Sequence, residues 1–468
     1  MQIKLSFLGA AQNITGSRHL VEANGLRVLI DCGLYQERQY RKRNWDPFPV
    51  PPESIDAVLL THAHLDHSGF LPRFVREGFQ GPAYCTAATM DIVQVMLMDS
   101  ARIQEEDAEF KKKRHEREKR TGPYPEVPLY TTEDARACFP RLSPIDYRTP
   151  LSLGKGMNAT FHDAGHVLGS SIVELRISQK GAARKILFSG DLGRWNKPIL
   201  KDPVLMEDAD YVVTESTYGD RLHEGSDTIK SELEEVIKST VRAGGNIVIP
   251  SFALERAQEI LYYFNQLLVA GRVPNLTVFL DSPMAINITG IFRHHPDLFD
   301  REMVRLLRTN RSPFDFPGLT MVTSSEESKA INRIPGSVMI IAGSGMCTGG
   351  RIKHHLVTNI SRSESTILFI GYQAVGTLGR QIIDGAKEIR ILGQTYPVKA
   401  RITQIQGFSG HADRDGLYRW LSGLRVPPRH TFAVHSEPET AFSFADFLNE
   451  NTGWKISVPE YREEAVLD

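Results

Sequence analysis

The chain has 468 residues, and its 55 Lys and Arg against 56 Asp and Glu give a formal net charge of −1. That balance excludes a protein that holds nucleic acid by bulk positive charge, though not a local basic cleft. The length suggests two to three domains, or one domain with a large insertion, and hydrophobic residues at 41% with charged residues at 24% fit a globular protein and argue against disorder.

In chain order, residues 3–8, 19–22 and 26–31 read as short strands, with a Gly-rich loop at 9–17. The alternating N-terminus, Met1–Gly9, has no apolar core followed by a cleavage site, so no signal peptide is expected. Ala57-Val58-Leu59-Leu60 is a short apolar run that fits a buried strand. A helix is expected over Gly69–Glu77, and a long one from Ala88 to about Glu118. The mixed-sign stretch Lys111–Arg120 reads as a solvated helical face rather than a nucleic-acid arm. Three prolines make 121–128 a loop. Strands follow at 159–163, 171–177, 184–188 and 210–215.

From 228 the pattern changes to alternation: helix 228–242, strand 246–249, helix 253–270, strand 276–280, helix 283–293, strands 337–342 and 366–370, helix 376–383. Such alternation predicts a parallel sheet with helices on its faces. Strands return at 389–392, 396–406 and 431–434. The economical picture is a middle domain, 217–400, inserted into an outer one made of 1–216 and 401–468. No apolar run approaches the roughly 18 residues a membrane span needs, so no membrane contact is expected.

Cys32, Cys85, Cys138 and Cys347 are scattered and form no C-x-x-C pair. A disulfide framework and a Cys-rich zinc site are both disfavoured, and a reducing cytoplasm is the expected compartment. Any metal must be held by His, Asp or Glu. The strongest signal is Thr61-His62-Ala63-His64-Leu65-Asp66-His67, directly after the strand 57–60. In extended backbone, residues i and i+2 point to one side, so His62 and His64 can converge on one ion. Asp66 and His67 follow where the chain turns into a helix and can face a second. Imidazole and carboxylate without thiolate suit Zn²⁺, with Mn²⁺ or Fe as alternatives.

This run resembles the metallo-β-lactamase superfamily, which implies a four-layer αββα sandwich with metals at one sheet edge. Its other motifs occur in order: Asp31 in Val28-Leu29-Ile30-Asp31-Cys32-Gly33, His166 in Asp163-Ala164-Gly165-His166-Val167-Leu168-Gly169-Ser170, and Asp191 in Phe188-Ser189-Gly190-Asp191-Leu192-Gly193. The last His ligand is expected at a strand end, and His435 in Thr431-Phe432-Ala433-Val434-His435-Ser436-Glu437 fits. It lies far beyond Asp191, which again implies a large insertion.

An insertion at this place resembles the β-CASP nucleases. Their markers are matched by Glu215 in Val213-Thr214-Glu215-Ser216-Thr217-Tyr218, His411 in Phe408-Ser409-Gly410-His411-Ala412-Asp413, and His435. DNA-directed members tend to carry Val at the third marker. Gly343–Arg351 and Gly371–Gly379 are similar to stretches of the bacterial and archaeal relatives of the pre-mRNA 3′-end endonuclease subunit. Two features depart from the pattern. Ser436 stands where Gly is usual, and the RNA-binding extension of archaeal relatives does not precede the first strand. The second departure implies a bacterial-type member.

The resemblance implies two Zn²⁺ per chain: His62, His64 and His166 on one ion, Asp66, His67 and His435 on the other, and Asp191 bridging. Asp31 would orient a ligand imidazole, His411 would act as general acid at the leaving 3′-oxygen, and Glu215 would fix the tautomer of His411. The implied activity is RNA phosphodiester hydrolysis, as endonuclease or 5′-exonuclease, in RNA processing or decay. Water would be the nucleophile, leaving 5′-phosphate and 3′-hydroxyl ends. A small-molecule metallohydrolase, a DNA nuclease and an inactive scaffold subunit are the alternatives. By analogy a homodimer is also implied. Ser251 and Arg256 in Pro250–Arg256, Ser344, Gly345 and Arg351 in Gly343–Arg351, and Thr377 can each hold an RNA phosphate. Ordinary turn and cap chemistry is the equal alternative, with Ser251 read as an N-cap. Lys353, His354 and His355 read as surface residues.

Overall fold

The computed structural model describes residues 2–119, 121, 125–223, 227–371, 373–374 and 376–468. Met1, Arg120, residues 122–124 of the expected loop, and Tyr372 and Val375 of the Gly371–Gly379 motif lie outside the described residues. The chain forms two units, one from Met1–Trp195, Asp202–Leu222 and His411–Asp468, the other from Asn196–Lys201 and His223–Gly410.

In the first unit, β1 (Ile3–Phe7), β2 (His19–Ala23) and β3 (Leu26–Ile30) are antiparallel neighbours. Asn24 and Gly25, at φ 55° and 70°, make the two-residue turn between β2 and β3. Positive φ at both positions gives a turn whose twist matches that of the strands it joins. β4 (Ala57–Leu59), β5 (Ala83–Cys85) and β6 (Leu142–Pro144) continue the sheet in parallel, and β22 (Glu464–Leu467) closes its other edge against β1. A second sheet takes β7 (Leu151–Gly154), β8 (Met157–Asp163), β9 (Ser171–Gln179) and β10 (Ala182–Phe188) antiparallel. It then takes β11 (Tyr211–Glu215), β20 (His430–Val434) and β21 (Ile456–Ser457) in parallel.

Alternation along the strands builds the layers. Ile3, Leu5, Phe7, Val28 and Ile30 of the first sheet meet Phe161, Val173, Ile186, Phe188, Val213, Phe432 and Val434 of the second in one buried core. The residues between them, Leu187, Val212 and Ala433, face the other way, under helices Arg414–Leu421 and Pro438–Thr452 with Leu417, Trp420 and Phe444. Each fully buried side chain of this size contributes roughly 1.5–3 kcal/mol. Helices Leu71–Arg76, Ala87–Glu118 and Thr132–Cys138 pack together on the outside of the first sheet, the long one against β6. Thr86 caps the long helix by accepting from Thr89 N, and its second half is largely solvated, as the charge pattern predicts. The result is the four-layer αββα sandwich expected.

The second unit holds a six-stranded sheet of β12 (Ile247–Pro250), β13 (Thr277–Asp281), β14 (Leu319–Met321), β15 (Val338–Ala342), β16 (Thr366–Phe369) and β19 (Arg401–Gln404). Every pairing is parallel, in the order β14-β13-β15-β12-β16-β19. Three expectations need correction. The strand expected at 396–406 is two: β18 (Gln394–Pro397) pairs β17 (Glu388–Ile391) as a hairpin, while β19 joins the parallel sheet. The helix expected from 253 begins at Arg256, so Ser251 is not its cap; Ser251 Oγ donates to its neighbour, the Phe252 carbonyl. The unit borders fall at Leu222 and Gly410, where 216 and 400 were expected, because β19 belongs to the inserted sheet and Arg414 N donates to Arg221 O at 3.1 Å.

Candidate metal centre

The chemistry-bearing residues of the first unit sit just beyond strand ends. Asp31 follows β3, Thr61–His67 follow β4, His166 follows β8, Asp191 follows β10, Glu215 ends β11 and His435 follows β20. Asp31 and His435 both take φ 62°, an uncommon left-handed conformation for residues with a side chain, and each turns its side chain sharply off its strand. Main-chain bonds fix the turns: His435 N donates to Ala10 O at 2.7 Å, Ser17 N to Asp66 O at 2.8 Å, and Cys32 N to His67 O at 2.7 Å. Gly33 is required here, because a Cβ would stand 1.6 Å from Asp66 O.

All seven expected ligands come together. His62 Nε2 lies 3.0 Å from His64 Nδ1, and His64 Nδ1 lies 3.3 Å from His166 Nε2. Asp191 Oδ2 lies 3.4 Å from His62 Nε2 and 3.5 Å from His166 Nε2. His67 Nε2 is 3.0 Å from His435 Nε2, and His435 Nε2 is 3.5 Å from Asp66 Oδ2. Asp191 Oδ1 lies 3.3 Å from His67 Nε2 and 3.6 Å from His435 Nε2. Ligand atoms about 2.0–2.2 Å from a tetrahedral ion stand roughly 3.3–3.6 Å apart, which matches all but one 3.0 Å separation in each set. The two oxygens of Asp191 face different sets. Its Oδ1 is buried without a hydrogen-bond partner, which a neighbouring cation would satisfy. The residues present therefore fit a pair of divalent ions.

A second layer orients these rings. Asp31 Oδ2 accepts from His67 Nδ1 at 2.7 Å, which leaves Nε2 its lone pair. Asp31 Oδ1 accepts from Thr61 N at 2.7 Å, and Thr61 Oγ1 lies 3.0 Å from both Asp31 and His62 Nδ1. His411 Nδ1 donates to Glu215 Oε2 at 3.0 Å. Glu215 Oε1 accepts from Leu192 N, and Oε2 also accepts from Thr217 Oγ1. Asp191, Glu215 and His435 also lie close enough to form a third ligand group, but those bonds commit both Glu215 oxygens. Ser436, where Gly is usual, is buried with its hydroxyl 2.6 Å from that of Ser216.

Electrostatics separates the two sets. Burial pushes His62 down, and drives His64 to about 3 with His62 adding to the effect. Burial and then the adjacent His411 hold His166 well below the ordinary histidine range. These rings are neutral, as ligands must be. At the second set burial again pulls down most strongly but is outweighed. Asp191 and Asp31 hold His67 well above the usual range, and Asp191 with Asp66 raises His435 to about 9. Asp66 and Asp191 stay below the carboxylate range against their burial, Asp66 chiefly through its bond to His435 and Asp191 through His435 and His67. Two carboxylates that raise the proton affinity of two facing imidazoles are a donor set at which a cation competes with protons.

The phosphate contacts expected in the second unit are mostly engaged elsewhere. Arg351 donates to Asp281 Oδ1 at 2.6 Å and to the Val322 and Thr323 carbonyls, so its guanidinium braces the fold. Arg256 pairs with Glu259 at 2.9 Å, and Thr377 caps the helix Leu378–Ile383. Ser344 Oγ accepts from Thr348 N and Gly349 N, and Gly345 packs under the Phe252 ring. His355 is not a surface residue: it is fully buried, with Nε2 2.6 Å from Asp281 Oδ2. Sequence reading missed Thr61 and Thr217. Their only signal was a hydroxyl beside a ligand or an acid. It also left unassigned His19, buried next to the second set with its Nδ1 unpartnered; burial takes this ring to about 4.

A paired-sheet sandwich with two ligand sets at its strand ends defines a metallohydrolase of the metallo-β-lactamase superfamily. Family models bear this out: a metallo-β-lactamase superfamily domain matches residues 20–207, a β-CASP domain 257–382, and a Zn-dependent metallo-hydrolase RNA specificity domain 395–459. The chain is 39% identical over 456 residues to Ribonuclease TTHA0252 of Thermus thermophilus, covering 97% of this chain and 98% of that one. It is 32% identical to Transcription termination factor FttA of Methanocaldococcus jannaschii, covering 95% of this chain and 68% of that one. Among solved structures, a protein of unknown function from Enterococcus faecalis V583 matches at TM-score 0.56 and 13% identity over all of both chains, which speaks for the fold alone. The chain belongs to the β-CASP family of the metallo-β-lactamase superfamily, and so to the metal-dependent RNA hydrolases. Among the described residues no helix is long and apolar enough to cross a membrane.

Proposed function

We propose that this chain is a zinc-dependent ribonuclease that holds two ions and leaves 5′-phosphate and 3′-hydroxyl ends. The observation that carries the reading is Asp191, whose two oxygens face two separate imidazole sets. When bound, a pair of divalent ions supplies Lewis acidity toward phosphoryl oxygens and a water acidified to a pKa of about 7. His62, His64 and His166 would hold one ion and Asp66, His67 and His435 the other, with Asp191 facing both. Asp31 keeps His67 in its ligating tautomer. His411, anchored at Nδ1 by Glu215, presents its other ring nitrogen to the leaving 3′-oxygen and gives up a proton there. Ser251, Ser344 and Gly345 follow the carboxyl ends of β12 and β15, the end of a parallel sheet where ligands bind, and are the proposed phosphate contacts. The match over nearly the whole chain to a protein named a ribonuclease supports an RNA substrate.

The test is cleavage of end-labelled RNA by the purified, zinc-loaded chain, with and without a chelator, and chemical identification of the new ends. Cleavage with 5′-phosphate and 3′-hydroxyl ends, abolished by chelation, is expected. Ends carrying 2′,3′-cyclic phosphate would mean that the ribose 2′-hydroxyl is the nucleophile and would overturn the mechanism.

A further inference from the structure

Two buried carboxylates at the centre do the same work twice. Asp31 accepts the hydrogen bond of His67 Nδ1–H directly, and reaches His62 Nδ1 through the Thr61 hydroxyl. Glu215 accepts the hydrogen bond of His411 Nδ1–H directly, and reaches His435 Nδ1 through the Thr217 hydroxyl, with a Thr217 Oγ1 to His435 Nδ1 distance of 3.1 Å. A hydroxyl has one hydrogen and two lone pairs. Whether Thr217 gives its hydrogen to Glu215 Oε2 or to the His435 carbonyl, also 3.1 Å away, a lone pair remains for His435 Nδ1–H. Among the described residues Thr217 is the one hydrogen-bond partner of that nitrogen. It fixes the tautomer in which Nε2 keeps the lone pair, and Nε2 is the atom that faces Asp66 and Asp191.

We infer that Thr217 is a positioning residue of the second ligand set, tying the ring of His435 to the same Glu215 oxygen that holds His411. The inference rests on the reading of His435 as a metal ligand. It assigns to one hydroxyl the task of keeping an ion-holding imidazole and the proton donor in register.

The experiment titrates the metal-free full-length chain with zinc against a chromophoric chelator, apart from any cleavage assay. Thr217→Val removes the hydroxyl and keeps the shape; Thr217→Ser restores it. Loss of such a partner typically weakens metal binding about 10- to 100-fold. Thr217→Val is expected to weaken one of the two ions by that factor and leave the other unchanged, and Thr217→Ser to bind like the parent. In an Asp66→Ala background, where the second set is already crippled, Thr217→Val should leave the remaining ion untouched. Should the valine variant not fold, Thr217→Ala is read in the same way. Parent-like affinity for both ions, equal weakening of both, or no recovery with serine overturns the inference. A parent chain that takes up fewer than two ions overturns the functional reading itself, however the variants behave.

Discussion

Substituting Glu215 by Gln tests the proton donor with least disturbance. Leu192 N–H can only donate, so the new amide must keep its oxygen at the Oε1 position and put its NH₂ where Oε2 accepts from Thr217 and His411. Thr217 tolerates this, because its hydroxyl can accept from the amide and donate to the His435 carbonyl 3.1 Å away. His411 does not. Its Nδ1–H, 3.0 Å from Oε2 in the parent, would meet a second donor, so the ring must turn a lone pair to the amide and carry its proton on the other nitrogen. A charge-assisted bond worth roughly 1.5–3 kcal/mol becomes a neutral one worth roughly 0.5–1.5. The loss of about 1–2 kcal/mol is about 5- to 30-fold in rate. Deleting the donor with His411→Ala should cost more, about 10²–10⁴-fold. Both effects belong to the leaving group. Single-turnover rates at saturating zinc, with metal content measured on each variant, should fall on RNA and hold nearly constant on a nitrophenyl phosphodiester, whose leaving group needs no proton. Equal slowing on both substrates, or loss of an ion from His411→Ala, would show that His411 is structural or a ligand.

Chelation should remove two ions per chain in two steps, since the two donor sets are joined only through Asp191; metal analysis that never exceeds one ion per active chain would refute the proposed two-ion centre. Arg351→Ala should lower stability toward urea by roughly 1.5–3 kcal/mol, the worth of a hydrogen bond to a charged group, with RNA affinity unchanged, because the guanidinium is held by Asp281. Weakened RNA binding at parental stability would instead restore Arg351 as a phosphate contact.

The cluster was legible because its residues lie in short runs at strand ends. A run of three imidazoles and a carboxylate after an apolar strand has few other uses, and Asp31, Asp191 and His435 each follow an apolar strand end, while His166 follows the alternating strand β8. What stayed hidden depends on partners distant in sequence. His355 sits beside Lys353 and His354 and reads as surface, yet Asp281 buries it. Arg351 ends a Gly-rich turn and reads as an anion site until the same Asp281 is placed against it. β22 is a short edge strand with Val466 exposed, so its apolar residues form no recognisable face. The strand expected at 396–406 failed at Pro397–Lys399, where the chain leaves one sheet for another; hydrophobicity does not reveal a change of partner.

The position of the insertion explains why Glu215 and His411 form a pair at all. Glu215 ends β11 shortly before the chain leaves the first unit, and His411 is the first residue on its return. Arg414 N donates to Arg221 O at 3.1 Å, so the departing and returning segments are hydrogen-bonded to each other within that unit. The closure entropy of a long excursion grows only slowly with its length, so a junction of this kind tolerates a whole domain between its ends. The returning segment then supplies β20 beside β11, β22 beside β1, and the helices that cover the outer face of the second sheet. It also brings His435 and His411. Neither sheet is complete, and neither His435 nor His411 stands beside Asp191 and Glu215, until the chain beyond the insertion has been made. The site is therefore assembled by the same step that finishes the fold, and no active centre can form on a chain that ends within the inserted domain.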